Sequence, residues 1–428
     1  MFDLLDDLHW RGLVAQSTDE FALREALSAG PVTVYCGFDP TAESLHAGNL
    51  VPLLALRRFQ LAGHRPILLA GGATGLIGDP SGRGTERALS DPEHVGRMAD
   101  KIREQLGRFF DFSGPARATL VNNLDWTASL SALDFLREIG KHFPVNQMLA
   151  RDAVASRLAA GGLSFTEFSY QLLQAYDYLH LYRTHDCRLQ IGGSDQWGNL
   201  TAGLELIRRV TGGRAHALTL PLVTTADGEK FGKSTGGGRI WLDPALTSPY
   251  AWFQFWLNTA DSEVGRWLRL FTLLERDHIA ALDVATIERP AERMAQRHLA
   301  NELTRLIHGK EQLKRVSAAS AALFGQGVLE DTDPVTLEEA LRAAGCATPE
   351  AGATSIAALF KVSGLSQSLG EARRTIVGGG AYLNNTRVTD PELEVGEEHR
   401  VHGRWLVLRR GRHTLAGVDM AKAEMSAR

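Results

Sequence analysis

Two short segments contain the residue types that bind a phosphate chain. The first, His46-Ala47-Gly48-Asn49, places an imidazole and a glycine at the predicted start of a helix. Free N–H groups and the positive end of the helix dipole attract phosphate there. His46 would donate to phosphate oxygens, and Gly48 would let a nucleotide approach the backbone. Read alone, the tetrapeptide is more often a helix-start histidine beside a packing glycine.

The second segment is Asp227-Gly-Glu-Lys-Phe-Gly-Lys-Ser-Thr. Its Gly232-Lys233-Ser234 matches the end of a P-loop, but that motif requires a glycine where Asp227 stands. A P-loop also follows the first strand of its sheet, whereas this segment follows the last predicted one. Lys230 and Lys233 suit a mobile loop that closes on a leaving pyrophosphate. For the segment alone, a solvated lysine–glycine loop is the alternative.

Strand-like runs alternate with helical stretches around these segments. The runs are 32–36, 66–70, 118–122, 188–191 and 217–223, and the helices include 91–110 and 195–209. This alternation predicts βαβ units and a Rossmann-like parallel sheet, an α/β fold. Ligands bind beyond the carboxyl ends of such strands, which points to the loops after Tyr35, Ala70 and Ile191. We also expect a helix to begin near Leu45 and a glycine-rich turn at 71–78.

The chain after Trp241 has a different character. Residues 249–345 show helical periodicity, 344–355 are rich in small residues, and the last part ends in a strand-like run at 404–408. We predict a catalytic α/β domain at 1–240, a helical domain at 241–345, a linker at 346–356 and a small α+β domain at 357–428.

Composition narrows the class of protein. The chain has 428 residues, a hydrophobic fraction of 44% and a net charge of −4, which fit an ordinary globular protein and argue against a uniformly basic nucleic-acid binder. The three cysteines lie far apart, without metal-ligand spacing, as expected in a reducing compartment. The acidic N-terminus and the lack of an apolar run of roughly 20 residues predict a soluble, cytoplasmic protein without a membrane span.

Taken together and in this order, the two segments resemble the HIGH and KMSKS signatures of class I aminoacyl-tRNA synthetases. Their flanks resemble the bacterial tyrosyl-tRNA synthetases over nearly the whole chain. The matching stretches are Tyr35-Cys-Gly-Phe-Asp-Pro-Thr-Ala, Gly71-Gly-Ala-Thr-Gly-Leu-Ile-Gly-Asp-Pro-Ser-Gly, Ser164-Phe-Thr-Glu-Phe-Ser-Tyr, Leu173-Gln-Ala-Tyr-Asp and Gln190-Ile-Gly-Gly-Ser-Asp-Gln. The resemblance implies that tyrosine and ATP form tyrosyl-adenylate and pyrophosphate, and that tyrosine then passes to the 3′ end of tRNA(Tyr).

The resemblance also implies roles for individual residues. Those expected to bind tyrosine are Tyr35, Asp79, Tyr170, Gln174, Asp177, Gln190 and Gln196. Those expected to bind ATP are Cys36, Gly37, Asp39, His46, Gly48, Asn49, Gly193, Asp195 and Lys233. Those expected to act on the transition state are Thr41, His46, Arg83, Arg87, Lys230, Lys233 and Ser234. Mg²⁺ should accompany ATP, without a carboxylate cage of its own.

The residues expected to bind tyrosine fit the chemistry of that amino acid. A phenol both donates and accepts a hydrogen bond, and Tyr35 with Asp177 can satisfy both. Tyr170, Gln174 and Asp177 fall on one helical face. Alone, Tyr35 reads as a strand aromatic and Asp177 as a surface charge.

Three positions depart from the family pattern. Asn49 replaces a histidine, Arg83 stands where lysine is frequent, and Gly232 should loosen the second segment.

The C-terminal part resembles the S4 RNA-binding domain over residues 361–389. The resemblance implies tRNA contacts by Arg373 and Arg374 on a helix and by Arg387 in a hairpin. Arginines recur at 400, 404, 409, 410 and 412, and 399–413 contains no acidic residue. Such a stretch predicts phosphate contacts, with a solvated arginine face as the alternative.

The family is homodimeric, and Phe165 with the segment 143–149 matches its interface region. An internal helix–helix contact is the alternative for these residues.

Two other functions are compatible with parts of the sequence. The tryptophanyl counterpart shares the general scheme, but Tyr35 with Asp177 argues against it. A non-catalytic RNA-binding protein would be expected to have lost His46 or the lysines at 230 and 233, and all three are present.

Lys233→Ala should slow tyrosyl-adenylate formation by about 100-fold, or roughly 3 kcal/mol, the effect of losing one transition-state donor. Tyrosine affinity should change little, because the lysine is expected to meet charge that develops on the phosphates. Pre-steady-state adenylate formation and equilibrium tyrosine binding measure the two effects. Equal losses in both would remove Lys233 from the transition state.

Overall fold

The protein is described from a computed structural model. The structure describes residues 3–81, 91–150, 152–160, 162–224, 231–232, 238–349, 354–411 and 414–422. It consists of two compact units. The first comprises Met1–Asp243 with Ala260–Ala295, and the second comprises Pro244–Thr259 with Gln296–Arg428.

The secondary structure follows the alternation in the sequence. The strands are β1 Gln16–Ser17, β2 Thr33–Phe38, β3 Arg65–Ala70, β4 Thr119–Asn122, β5 Cys187–Gly193, β6 His216–Leu220, β7 Cys346–Ala347, β8 Ala381–Leu383, β9 Thr386–Val388, β10 Trp405–Arg410 and β11 Thr414–Asp419. The helices are α1 Leu4–Trp10, α2 Glu20–Ala29, α3 Leu50–Leu61, α4 Gly72–Ile77, α5 Pro92–Gly107, α6 Leu124–Thr127, α7 Ala132–Asp134, α8 Val145–Leu149, α9 Asp152–Ala160, α10 Phe165–His185, α11 Trp197–Thr211, α12 Pro249–Leu257, α13 Asp261–Phe271, α14 Arg276–Glu288, α15 Met294–Leu323, α16 Pro334–Ala344, α17 Ile356–Val362 and α18 Leu369–Val377. Within the described residues, the helices are too short or too polar to cross a membrane.

The first unit is built on a sheet of order β1-β6-β5-β2-β3-β4. All pairings are parallel except β1 with β6, so the predicted parallel α/β sheet is confirmed. In β2, Tyr35 is paired with Ile67 on β3 and with Gln190 on β5. Because parallel strands end at the same edge, the loops after β2, β3 and β5 lie together.

A core of apolar side chains supports this edge of the sheet. Leu179 and Leu181 of α10 are 1% and 0% exposed, and they share one buried cluster with Ile67 and Leu206. Each such side chain contributes about 1.5–3 kcal/mol by leaving water. The helix α10 is therefore fixed against the sheet along its length. Ser164 caps its first turn by accepting from the backbone N–H of Glu167 at 3.2 Å.

The predicted glycine-rich turn at 71–78 is wrong, because Gly72–Ile77 forms α4. The glycines serve close packing at its start. A Cβ at Gly71 would collide with the carboxylate of Asp39, and one at Gly72 with the amide of Asn122. The helix can approach the ends of β2 and β4 only because these positions lack side chains.

The second unit joins helices to a sheet of order β7-β11-β10-β8-β9. Its strands and α17–α18 enclose a core that includes Phe360, Ile376, Leu406 and Leu408. As predicted, Arg373 and Arg374 lie on α18, and Arg387 lies on β9 of a hairpin.

The compact units differ from the predicted domain division. Helices α13 and α14 belong to the first unit, and Cys346–Ala347, in the predicted linker, pairs with β11 of the second. Helical periodicity indicates that one face of a helix is buried, but not which core covers that face.

A buried ionic network joins α1, α3 and the segment after α13. Asp7 is 3% exposed and accepts from Arg11 Nε at 2.9 Å and from Arg58 Nη1 at 3.2 Å. Arg58 also donates to the carbonyl of Thr272, and Arg11 Nη2 donates to that of Leu274 at 2.7 Å. Burial, and then the charge of Arg11, lower the pKa of Arg58. One carboxylate thus holds two guanidinium groups where unpaired charge is costly.

Asp7→Asn should lower the free energy of unfolding by about 3–5 kcal/mol, because it leaves uncompensated buried charge. The control Asp6→Asn alters a carboxylate that is 64% exposed and 3.0 Å from Arg24. Exposed pairs contribute only about 0.2–1 kcal/mol. Urea unfolding of the full-length protein, followed by tryptophan fluorescence, measures both. Equal losses for the two variants would show that the network adds no stability.

Candidate active site

A cavity of about 710 Å³ opens at the carboxyl ends of the parallel strands. Every described residue that was expected to bind tyrosine, ATP or the transition state lines it. These residues are Tyr35, Cys36, Gly37, Asp39, Thr41, His46, Gly48, Asn49, Asp79, Tyr170, Gln174, Asp177, Gln190, Gly193, Asp195 and Gln196. Arg83, Arg87, Lys230, Lys233 and Ser234 lie outside the described residues.

One end of the cavity is built around the carboxylate of Asp177. The side chain is 3% exposed and projects from α10. Asn123 Nδ2 donates to its Oδ2 at 2.9 Å, and Trp126 Nε1 donates to its Oδ1 at 2.8 Å. Burial raises the pKa of Asp177 to about 7; the two donors act against this shift, and the charge of Asp39 adds to it. Near neutral pH the Asp177 carboxyl group is therefore partly protonated, and its ionised form can accept a hydrogen bond.

Three buried polar atoms beside Asp177 have no hydrogen-bond partner among the described residues. They are the Tyr35 hydroxyl, Gln174 Oε1 and Gln190 Oε1. Burial, and then the charge of Asp177, raise the pKa of Tyr35 well above its usual value, so its hydroxyl stays protonated. An unsatisfied buried polar atom costs about 1–3 kcal/mol. A ligand that supplies the missing partners, such as a phenol, would recover that cost.

Two further carboxylates face the middle of the cavity. The Tyr170 hydroxyl donates to Asp39 at 2.7 Å, and Thr74 Oγ1 donates to the other oxygen of Asp39 at 2.6 Å. Gln196 Nε2 donates to Asp79 at 2.6 Å. Because Tyr170 uses its proton on Asp39, its oxygen keeps lone pairs to accept from a ligand. This part of the cavity suits a cation such as an ammonium group.

Sequence reasoning missed three residues that organise these carboxylates: Thr74, Asn123 and Trp126. Asn123 Nδ2 donates to Thr74 Oγ1 at 3.0 Å as well as to Asp177, and its Oδ1 accepts from the N–H of Ala73 at 2.7 Å. The available signal was position, since Asn123 directly follows β4. The loop after that strand lies at the same edge of the sheet as the loops after β2, β3 and β5.

The opposite end of the cavity is formed by the turn at His46. Nδ1 of His46 accepts from the N–H of Gly48 at 3.1 Å, which leaves the ring proton on Nε2. The backbone N–H of His46 donates to Asn49 Oδ1 at 2.9 Å. Burial, and then the charge of Arg239, lower the pKa of His46 to about 4, so the ring is neutral at pH 7. His46 is thus a neutral donor, suited to a phosphate oxygen without adding positive charge.

The imidazole ring of His46 can take this position only because residue 48 is glycine. A Cβ at that position would lie 2.9 Å from Cε1 of His46. Gly48 therefore makes room for the imidazole, as the alternative of a packing glycine beside a helix-start histidine predicted.

The structure describes Phe231 and Gly232 of the second segment, and Gly232 is linked to the His46 turn through Ile240. The N–H of Ala47 donates to the carbonyl of Ile240 at 2.8 Å, and the N–H of Ile240 donates to that of Gly232 at 2.8 Å. Phe231 packs on Trp267 and Phe271, with ring centroids 4.8 and 5.0 Å apart. Phe231 and Gly232, which directly precede Lys233, are thus held in place by packing and by the link through Ile240.

Gly232 has a specific reason to be glycine. Its φ of 91° lies in the left-handed region that side chains disfavour. The φ angle therefore gives position 232 a conformational reason to be glycine, because another residue would be strained there.

The arginine stretch of the second unit is only partly available to a ligand. Arg404 Nη2 pairs with Asp419 at 2.7 Å, and Arg410 Nη1 pairs with Glu371 at 2.8 Å. The expectation of a continuous phosphate-binding stretch is wrong at these two positions, because acidic residues distant in sequence neutralise them. Arg412 lies outside the described residues. Arg373, Arg374 and Arg387 have exposed side chains, and Arg373 also pairs with Glu392 at 3.0 Å.

Matches to known protein families cover nearly the whole chain. Residues 27–325 match the tRNA synthetases class I (W and Y). Residues 337–416 match the tyrosine–tRNA ligase SYY-like C-terminal domain.

Individual relatives agree with these matches. The tyrosine–tRNA ligase of Nocardia farcinica is 58% identical over 97% of this chain and 98% of its own. That of Acidothermus cellulolyticus is 57% identical over 98% of this chain and 100% of its own. A C-terminally truncated mitochondrial tyrosyl-tRNA synthetase of Aspergillus nidulans, 30% identical, superposes with a TM-score of 0.70 over 76% of this chain and 95% of its own. A tryptophanyl-tRNA synthetase of Encephalitozoon cuniculi, 12% identical with a TM-score of 0.53 over 72% of this chain and 87% of its own, shares the fold.

Asp177 should make stability depend on pH. Its pKa in the folded protein, about 7, lies above the ordinary 3.8. Its contribution to stability is therefore complete below pH 4 and is lost as the pH rises through 7. Relative to Asp177→Asn, which cannot titrate, the wild type should lose about 4 kcal/mol of unfolding free energy from pH 4 to pH 8, since each pKa unit is about 1.36 kcal/mol.

Urea unfolding of both proteins across this range measures the difference. A pH-independent effect of the Asp177→Asn substitution on stability does not affect the comparison, because only the change of the unfolding free energy with pH is compared. Asn123→Ala removes a donor that lowers the pKa of Asp177. In that variant, the loss of stability should therefore extend to higher pH. A difference that is independent of pH would contradict the raised pKa.

Proposed function

The chain belongs to the bacterial tyrosine–tRNA ligase family, and we propose that its cavity activates tyrosine with ATP and passes the tyrosyl group to tRNA(Tyr). One observation carries this proposal: a single cavity has an unpartnered Tyr35 hydroxyl beside Asp177 at one end and the His46 turn at the other. The first end suits a phenol, and the second suits a polyphosphate.

Tyrosine is held by its phenol, its ammonium group and its ring. Tyr35 donates to the phenol oxygen while Asp177 accepts the phenol proton. Gln190 lies beside Tyr35 on the neighbouring strand and supplies a further polar group. Phenylalanine leaves these groups unpaired, and this enzyme family is itself the standard example of that effect, with a rejection of roughly 10⁵.

The ammonium group of tyrosine lies between the carboxylate of Asp79 and the acceptors on α10. Tyr170 and Gln174 are one helical turn apart and line the cavity on the same side as Asp177. Gln196, hydrogen-bonded to Asp79, keeps that carboxylate oriented. With both ends of the amino acid fixed, its carboxylate points along the cavity toward the phosphates.

Activation is an in-line displacement. A carboxylate oxygen of tyrosine attacks the α-phosphorus of ATP, the bond to the bridging oxygen breaks, and pyrophosphate leaves with the electron pair. The carboxylate is already ionised near neutral pH, so positioning and charge stabilisation suffice. ATP enters as its Mg²⁺ complex.

The phosphates of ATP meet donors from both phosphate-binding segments. His46 donates from Nε2, and the N–H groups of its turn add to it. Further donors in this proposal are Thr41, Arg83, Arg87, Lys230, Lys233 and Ser234. The ribose and adenine lie against Cys36, Gly37, Asp39, Gly48, Asn49, Gly193 and Asp195. A Cβ at Gly193 would lie 2.5 Å from Asp195 Oδ1, so the glycine keeps that carboxylate in place.

Transfer completes the reaction. A ribose hydroxyl at the 3′ end of tRNA(Tyr) attacks the tyrosyl carbonyl, and AMP leaves. Arg373, Arg374 and Arg387 hold the phosphates of the tRNA, because arginines on an acidic protein attract RNA locally. Nε of Arg387 donates to the carbonyl of Gly379 at 2.8 Å, which leaves the rest of its guanidinium group for RNA.

The active form in this proposal is a cytoplasmic homodimer. Phe165 is 73% exposed, and Val145 and Leu149 are 59% and 42% exposed. Apolar side chains this exposed are typical of an interface. A second copy of the chain is the partner proposed for them.

Tyrosine-dependent exchange of pyrophosphate into ATP tests the function directly. The purified protein should support exchange with tyrosine but not with phenylalanine or tryptophan. Tyr35→Phe should reduce the preference for tyrosine over phenylalanine by about 10-fold, the effect of one hydrogen bond. Exchange with tryptophan in place of tyrosine, or with neither, would overturn the proposal.

A further inference from the structure

We propose that Arg239 is an additional catalytic residue, a cation that meets the β- and γ-phosphates of ATP as pyrophosphate leaves. The proposal rests on the proposed function, since it names a further residue of the same site. Neither the sequence pattern nor the resemblance singled out this position.

The backbone places Arg239 beside the His46 turn. The next residue, Ile240, accepts from the N–H of Ala47 and donates to the carbonyl of Gly232, both at 2.8 Å. The N–H of Leu242 donates to the carbonyl of Leu45 at 2.8 Å. Arg239 is thus held by main-chain bonds at the point where the two phosphate-binding segments meet.

The side chain of Arg239 belongs to the cavity. It is exposed and lines the same wall as His46, Gly48 and Gly232. Its guanidinium group lies 5.7 Å from the ring centroid of Trp241, and that ring contacts His46 edge-on at 6.2 Å. The charge is close enough to His46 to oppose protonation of the imidazole.

The charge of Arg239 is not neutralised within the described part of the chain, where no carboxylate pairs with it. The contrast with other arginines is informative. Arg269 pairs with Asp283 at 2.8 Å, and Arg209 pairs with Glu205 at 2.5 Å. A guanidinium group without a carboxylate, facing a cavity, is suited to an anionic ligand that it can bind with two parallel hydrogen bonds.

Polyphosphate is the anion that this position would meet. Among the described residues, four aspartates line the cavity, and three of them, Asp39, Asp79 and Asp177, are hydrogen-bonded to neighbouring side chains. His46 is neutral and can donate only one hydrogen bond from its free nitrogen. Arg239 therefore supplies the positive charge that this end of the cavity needs when negative charge builds up on pyrophosphate.

Two substitutions separate charge from packing. Arg239→Met keeps an apolar stem against Trp241 and removes the charge, whereas Arg239→Lys keeps the charge. Arg266→Met is the matched control, because Arg266 is also exposed and lies 4.9 Å from the ring centroid of Trp267 but does not line the cavity.

Arg239→Met should lower kcat/KM for ATP by about 10- to 100-fold, the effect of losing a charged hydrogen bond. In the reverse reaction, it should raise the KM for pyrophosphate. Arg239→Lys should bring both kcat/KM for ATP and the KM for pyrophosphate most of the way back to the wild-type values. Tyrosine affinity and the thermal midpoint of unfolding should stay unchanged, and Arg266→Met should match the wild type throughout.

The role of Arg239 and the proposed function would fail in different measurements. Wild-type protein without tyrosine-dependent exchange would remove the proposed function. Active wild type with an unaltered Arg239→Met would overturn only the role of Arg239. Equal losses in ATP and tyrosine parameters, or no recovery in Arg239→Lys, would assign Arg239 a packing role on Trp241 and overturn the proposal as well.

Discussion

A main-chain bridge between two distant parts of the chain forms the part of the cavity where we propose that the phosphates of ATP bind. The hydrogen bonds between Ala47 and Ile240, and between Leu45 and Leu242, hold residues about two hundred positions apart in contact. Separately, each segment is a weak phosphate motif. Bridged, they place a helix N-terminus, a neutral histidine and a cationic side chain around one space. Main-chain bonds are suited to this because side-chain changes leave them intact.

The bridge depends in turn on how its two sides are supported. The helix α3 continues from the His46 turn, and Arg58 on that helix is tied through Asp7 to Arg11 and to the segment after α13. The same helix α13 carries Phe271, on which Phe231 packs. Both sides of the phosphate end therefore rest on elements that one buried carboxylate joins. The high cost of breaking a buried ion cluster makes this support rigid.

Charge is distributed unequally along the cavity. Asp79 and Asp177 lie among the residues proposed to bind tyrosine, and Asp39 and Asp195 among those proposed to bind the ribose and adenine. The turn proposed to bind the phosphates has the neutral His46 and, beside it, the cationic Arg239. An amino acid with an ammonium group and a nucleotide with a polyphosphate would each be favoured at one end only. In the proposed function, this difference in charge orients the two substrates before any reaction occurs. Burial strengthens these preferences, because the dielectric constant inside the protein is low.

The sequence by itself determined the parallel sheet and the positions of most strands and helices, and its resemblance to the bacterial tyrosyl-tRNA synthetases implied many of the residues that line the cavity. It could do so because strand and helix periods are local, and because the motifs after Tyr35 and Leu220 are distinctive in order and type. Only the tertiary structure decided that His46 is neutral, that Asn123 and Trp126 orient Asp177, that α13 and α14 join the first unit, and that Asp419 and Glu371 neutralise Arg404 and Arg410. Periodicity shows which face is buried but not what covers it, and the partner of a charge is set by packing between residues far apart in the chain.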